Sequence, residues 1–456
     1  MTTLFYALGV VIFVVAILVS IGLHELGHMI PAKKFGGKVT QYFIGFGPTV
    51  WSKQVGETEY GVKAIPLGGY VKIVGMLPPG ADELDEDREH PVYDAHGQRV
   101  VRLRKSNTGI FTQLISDARA AEWEHITPAD SDRLFYKMPW WKKVIVMAGG
   151  PTVNILIAFF IFLAVFSFYG QRTIEPDAGP PVISSVSECV IPFDEEGRAC
   201  TADDPRAPAF EAGLRPGDVV TSFNGTRVTD WDQLRNLIRD NADGTAVIGY
   251  ERDGAPLTGT TNTTVETRPT SGEDQTLRQV GFLGVSPTTH LEVTKGGPIF
   301  TLQQMGTMTV DTVQALATLP VKVYEVGEAI VGVEERKQDS PVSIVGGGRF
   351  AGETVSHEQF AGEEKLVFLL MLIAGFNFFI GMFNFIPLLP LDGGHIAGAL
   401  WEAIRRGFAR LRGRPDPGYV DVARLLPVAY VVASALLIMG LVLIVGDLVV
   451  PLHITS

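Results

Sequence analysis

With 456 residues the chain has room for two or three folded units, and its 46% hydrophobic content is more than a soluble protein of that size needs. The net charge of −12 gives no reason to expect a nucleic-acid surface. The apolar excess is concentrated in four blocks, residues 4–23, 144–169, 366–387 and 425–450, each near or above the roughly 20 residues that a spanning helix requires. These blocks predict a polytopic α-helical membrane protein with about four transmembrane helices.

The first predicted helix, residues 1–34, carries the most informative motif of the chain at its inner end, His24-Glu25-Leu26-Gly27-His28. On a helix, His24 and His28 project from one face and can share a zinc ion, and Glu25 is close enough to act as general base in hydrolysis. The alternative is a structural metal site or a hydrogen-bonded histidine pair. Two histidines and a glutamate at membrane depth are expensive, which favours a functional role. The N-terminus has no basic residue and no small-x-small site precedes the histidines. The block therefore reads as a retained helix and not as a cleaved signal peptide.

Residues 35–77 read as a membrane-associated β-hairpin region, with short strands over 41–48 and 59–74 and Gly68-Gly69 supplying the turn. Its segment Ile65, Gly68, Gly69, Tyr70, Val71 and Ile73 can offer an unpaired edge to an extended peptide, or can simply cover the mouth of the bundle. Residues 78–139 form a cytoplasmic loop, flexible to about residue 108, with an acidic run at 82–89. The second transmembrane helix, 140–170, opens on Trp140 and Trp141 beside Lys142 and Lys143, an interfacial belt. Gly149, Gly150 and Asn154 within it predict close helix packing, with Asn154 as a packing hydrogen bond.

The segment 171–364 has about twice as many acids as bases and contains both cysteines, Cys189 and Cys200. In an oxidising compartment the two can close a disulfide hairpin; two free thiols are the alternative. Residues 208–225 predict a short helix stopping at Gly213, a turn at Pro216-Gly217-Asp218, a strand at 219–223 and a tight turn at Asn224-Gly225. An amphipathic helix over 230–238 and a strand over 245–251 follow. This pattern resembles a PDZ domain of the circularly permuted type found in bacterial proteases. It places an extracytoplasmic α+β domain over 180–285, and the resemblance implies peptide binding by strand addition or a steric gate. Residues 286–364 read as a juxtamembrane amphipathic segment with helical patterns over 298–338, notably 300–319; a buried helix of the outer domain is the alternative.

The third transmembrane region, 365–400, ends in Asn384-Phe-Ile-Pro387-Leu-Leu-Pro390-Leu391-Asp392-Gly393-Gly394-His395. Prolines break the helix there, and an intramembrane aspartate demands a partner, so Asp392 is the candidate third metal ligand. His395 is a spare histidine that a complete set leaves unnecessary. The loop 401–424 is short and basic, which makes it cytoplasmic, and the fourth transmembrane helix spans 425–452. With four spans, 35–139 is then also cytoplasmic, while the 171–364 segment and both termini lie outside.

Over nearly its full length the chain resembles the site-2 proteases, the intramembrane zinc metalloproteases. HELGH, GFGP, IPLGGYVKI and NFIPLLPLDG carry the resemblance, and the single PDZ-like unit is most like actinobacterial members. The resemblance implies that His24, His28 and Asp392 hold Zn2+, that Glu25 is the base and that Asn384 binds the substrate backbone or the oxyanion. It makes the Ile65–Ile73 segment the edge that holds an unwound substrate in a bacterial plasma membrane. It further implies membrane-anchored protein substrates, anti-sigma factors above all and remnant signal peptides as a further class, cut after an upstream outer-side protease has acted. A catalytically dead scaffold would have lost Glu25, and a metal transporter would need internal pseudo-symmetry, which the halves lack.

Overall fold

The computed structural model describes residues 2–78, 92–93, 99–100, 110–123, 126, 128–177, 179–193, 199–201, 204–269, 277–357 and 360–453. The chain divides into two compact units, one built from residues 1–169 and 295–456 and the other from 170–294.

The first unit is helical. Helix α1 (Thr2–Lys34) runs without a break through the first apolar block. The polar segment that follows the sheet region is more ordered than the sequence suggests. Strand β3 (Val92–Tyr93) pairs with β4 (Arg99–Val100), and α2 spans Ile110–Trp123, whereas the acidic run at 82–89 lies outside the described residues. Helix α3 (Trp140–Phe168) crosses α1 at glycines. A Cβ on Gly27 would lie 2.4 Å from the Gly149 carbonyl oxygen, and one on Gly149 would lie 1.9 Å from that of Gly27, so only glycine permits this approach. Four helices among the described residues are long and apolar enough to cross a membrane: Thr3–Lys34, Trp140–Phe168, Gly362–Asn384 and Val422–Val449. Their outward faces carry exposed apolar side chains such as Val11, Val15, Leu437 and Ile438, as a lipid-facing surface requires.

Between α1 and α2, strands β1 (Val39–Val55) and β2 (Thr58–Ile73) are longer than the sequence suggests, and each is bent. The tight turn joining them is at Gly56-Glu57, not at Gly68-Gly69. Gly45 and Gly47 (φ +93° and +82°) bend β1, and Gly68 (φ +110°) bends β2, conformations that side-chain-bearing residues rarely adopt. As a result residues 41–44 pair on one side with 69–72 and on the other with 59–62. Residues 69–73 form one edge of this sheet.

The helical patterns of 298–338 form α6 (Pro298–Ile330), helped by Pro298 at its first turn, and α7 (Ile344–Ser356) follows. Two further expectations are corrected. The third hydrophobic region is two helices, α8 (Gly362–Asn384) and α9 (Asp392–Leu411), so the predicted boundary at 400/401 falls inside a helix. Finally, Lys143 is no interfacial anchor. It is buried and paired at 2.7 Å with Glu402 on α9, itself 1% exposed, which fastens α9 to the start of α3. Helix α10 (Leu426–Val449) closes the unit, and its Asp447 pairs with Arg336 and accepts from Ser343 and Gly346 backbone N–H groups.

The second unit is mainly β. Strand β7 (Val219–Phe223) pairs with β8 (Thr226–Arg227) and β9 (Thr245–Arg252), and β9 with β10 (Ala255–Asn262). Antiparallel pairs join β5 (Gln171–Pro176) to β14 (Thr289–Thr294), β6 (Ile183–Val186) to β13 (Val285–Pro287), and β11 (Thr264–Pro269) to β12 (Leu277–Phe282). Two helices complete it, α4 (Pro208–Glu211) and α5 (Trp231–Asp240), the latter capped by the Asp230 side chain on Gln233 N–H. Its core contains Val220, Phe223, Leu234, Ile248 and Leu283. Cys189 and Cys200 are joined in a disulfide. The unit extends beyond the predicted 180–285 because β5 and β14 pair its two ends.

Candidate active site

The site is assembled from four helices and one strand edge. Four-residue spacing on α1 places the His24 and His28 rings 4.9 Å apart between centroids, with their Nε2 atoms 3.2 Å apart. His28 Nδ1 lies 2.9 Å from the Val146 carbonyl oxygen of α3. A carbonyl only accepts, so Nδ1 carries the proton and Nε2 presents its lone pair inward. Asp392 arrives from 364 residues further along the chain than His28, as the first residue of α9. The chain turns sharply before it: a Cβ on Gly393 would lie 2.1 Å from the Ile386 carbonyl oxygen, and one on Gly394 would lie 2.6 Å from Leu389 N. Asp392 Oδ2 ends 3.3 Å from His24 Nε2 and 3.3 Å from His28 Nε2.

Among the described residues, these three are the group whose ligand atoms converge, all within 4.8 Å of one another. A tetrahedral ion with bonds of about 2.0–2.1 Å holds its ligand atoms about 3.3 Å apart, the spacing observed here. Nitrogen lone pairs and a carboxylate oxygen at that distance repel unless a cation sits among them. The set therefore fits zinc by donor chemistry, spacing and its outer hydrogen bond to Val146.

The cluster forms one wall of a cavity of about 500 Å³. Glu25 lines it, with the Val71 N–H directed at its carboxylate. Gly68, Gly69, Tyr70, Val71 and Ile73 of β2 line it as well, and Ile65 does not; Ile65 is exposed and opposite Phe46. Gly69 is required where it stands, because a Cβ there would lie 2.9 Å from the Phe43 carbonyl oxygen and 3.1 Å from Glu25 Cγ. Asn384, the last residue of α8, reaches the cavity while its Nδ2 donates to the Ile380 carbonyl at 3.1 Å.

Two residues read otherwise from the sequence line the cavity, His395 and Asn154, and a third, Gly150, packs on the ligand imidazoles. His395 lines it one turn beyond Asp392 but stands outside the converging ligand set. Gly150 packs so closely on the imidazoles that a Cβ would lie 2.2 Å from His28 Nε2 and 2.7 Å from His24 Nε2. Asn154 is not a packing hydrogen bond: it lines the cavity, and its Oδ1 is buried without a partner among the described residues. The glycine pair and Asn154 were visible as small and polar residues in an apolar block, a pattern that helix packing alone also produces.

Fold and site together define a membrane-type helical protein with a two-histidine, one-carboxylate cluster beside a glutamate, the arrangement of a metallopeptidase. Residues 12–423 match the family model described as Peptidase family M50. The chain is 34% identical to the zinc metalloprotease Rip1 of Mycobacterium tuberculosis, an alignment covering 98% of this chain and 99% of that one. It is 27% identical to the regulator of sigma-E protease RseP of Escherichia coli and 23% identical to the regulator of sigma-W protease RasP of Bacillus subtilis. Each of these two alignments covers 87% of this chain and 90% of the relative. The chain belongs to peptidase family M50, the site-2 proteases that its motifs resemble.

Proposed function

We propose that this zinc metalloprotease hydrolyses peptide bonds within the transmembrane segments of single-span proteins already shortened on their outer side. The observation that carries the reading is the joint placement of the His24–His28–Asp392 triangle, Glu25 and the β2 edge around one cavity, at the end of a helix apolar enough to span a membrane. His24, His28 and Asp392 would hold the zinc, which would supply Lewis-acid activation of water and of the carbonyl under attack. Glu25 takes a proton from the attacking water and returns it to the leaving amine. The second Nδ2 hydrogen of Asn384 is available to the carbonyl oxygen on which charge develops. A helical substrate hides its carbonyls in backbone hydrogen bonds, so it must unwind, and strand pairing with residues 69–73 replaces what it loses.

In this reading the second unit is a PDZ domain outside the cell, which excludes substrates not yet trimmed by an upstream protease. The basic residues of 401–424, in the last turns of α9 and between α9 and α10, and the acidic 171–364 segment support that orientation, with the zinc-motif end of α1 toward the cytoplasm and both termini outside. Two relatives carry sigma-factor regulation in their names, which supports membrane-anchored anti-sigma factors as the substrate class. The test uses the purified chain in detergent with a tagged single-span substrate shortened on its outer side. We expect the wild type to cut it and Glu25→Gln to be at least about 10²-fold slower with zinc retained. Equal cleavage by both would remove Glu25 from the mechanism.

A further inference from the structure

Helix α3 lines the active-site cavity with Met147 and Asn154, and Gly150, four positions before Asn154 on the same helical face, packs against the two imidazoles. Because Gly150 brings the α3 backbone as close to the imidazoles as any residue permits, the Asn154 side chain projects beside the cluster. Asn154 is 1% exposed, and its Oδ1 has no hydrogen-bond partner among the described residues. A buried carboxamide oxygen without a donor costs stability, and folded proteins keep few of them. The close contacts of α3 with its neighbours are made by Gly27 and Gly149 toward α1 and by Pro151 and Ile155 against Gly381 toward α8. Asn377 Oδ1 is also unpartnered, but Asn377 lies off the cavity and its Nδ2 donates to Ser20 and Ile373. Asn384, on the α8 wall, already commits one N–H to its own helix.

We propose that Asn154 binds the backbone of the unwound substrate, its Oδ1 accepting a peptide N–H and its Nδ2 donating to a peptide carbonyl. The inference rests on the proteolytic reading given above and adds to it a second contact for the substrate strand. Unwinding frees peptide groups where water is scarce, and each must find a partner inside the protein. The 69–73 edge supplies partners on one side of the strand. A carboxamide carries the same donor and acceptor pair as a peptide unit, so Asn154 supplies them on α3. The assignment holds whichever way the amide is turned, because both ends are used.

The experiment uses the full chain in detergent, with Glu25→Gln as the background that binds without cutting. The probe is a fluorescein-labelled synthetic peptide with an apolar span of about 20 residues broken by a central Asn-Pro. Peptide affinity, zinc content and thermal midpoint are measured for Glu25→Gln alone and combined with Asn154→Leu or with Asn154→Ala. We expect Asn154→Leu to weaken binding about tenfold or more, with zinc content unchanged and the midpoint unchanged or raised, since the unsatisfied oxygen is gone. Affinity within about twofold of the parent overturns the proposal, and a lowered midpoint with intact affinity marks a packing residue. Asn154→Ala is read by the same criteria, so poor folding of one variant leaves the other decisive. Cleavage of the same peptide by the wild type and not by Glu25→Gln reports on proteolysis itself. A failure of the Asn154 assignment is thereby distinguishable from a failure of the enzymatic reading.

Discussion

Gly150→Ala is the sharpest test of the site because it adds one methyl group and replaces no ligand. The new Cβ would lie 2.2 Å from His28 Nε2 and must move to ordinary contact at 3.4 Å or more, a displacement of about 1.2 Å. Helix α3 is already locked against α1 where Gly27 and Gly149 meet, so much of that displacement falls on the imidazoles. Zinc–ligand distances tolerate about 0.2 Å, and a misplacement near 1 Å in a catalytic array costs about 10²-fold in rate. We expect zinc affinity, measured by competition with a chromogenic chelator, to fall at least about 10-fold to 100-fold, the range seen when outer-shell partners of a metal site are lost. Cleavage should fall by at least about 10²-fold, while the circular-dichroism spectrum stays that of a folded helical protein. Full zinc occupancy with cleavage close to the wild type would refute the argument that the Nε2 atoms of His24 and His28 point at the ion.

Two further outcomes follow from buried charges. Glu402→Leu leaves the Lys143 ammonium buried without its 2.7 Å partner and should destabilise the helical unit by about 3–5 kcal/mol. Adding Lys143→Met should restore most of that loss in thermal unfolding in detergent, and equal damage by the double variant would sink the ion-pair account. In the second unit, burial alone would raise the Asp218 carboxyl, but hydrogen bonds from Arg252 and from Arg215 N–H hold it below the usual carboxylate range. A carboxyl depressed in the folded state contributes its full stability above the unfolded value of about 3.9 and loses it as pH falls through the lower folded value. Hydrogen exchange of β7 and β9 should therefore accelerate below about pH 4. Asp218→Asn should lower stability by about 2–3 kcal/mol near neutral pH and remove that part of the acid dependence. An unchanged acid profile would show that other carboxylates set it.

The sequence by itself determined the parts governed by local periodicity and by the membrane. Spanning helices are legible because a bilayer demands long uncharged runs, and the His24, Glu25 and His28 spacing is legible because a helix repeats on a fixed turn. The turn and strand signals of 208–251 likewise read correctly, since Asn224-Gly225 imposes local backbone geometry whatever surrounds it.

What only the tertiary structure decided lies where distant segments meet. The hairpin turn at Gly56-Glu57 and the bends at Gly45, Gly47 and Gly68 depend on which strands pair, and local composition offered several glycines for the same turn. Lys143 read as an interfacial anchor because its partner Glu402 lies 259 residues away. Gly150 and Asn154 read as packing residues because small and polar residues in an apolar helix look alike whether they face another helix or a cavity. Asp392 could be named from its broken helix, but its distance to the two histidines is set by the packing of α1, α3 and α9. A linear pattern encodes which face a residue occupies, and the fold alone encodes what stands opposite that face.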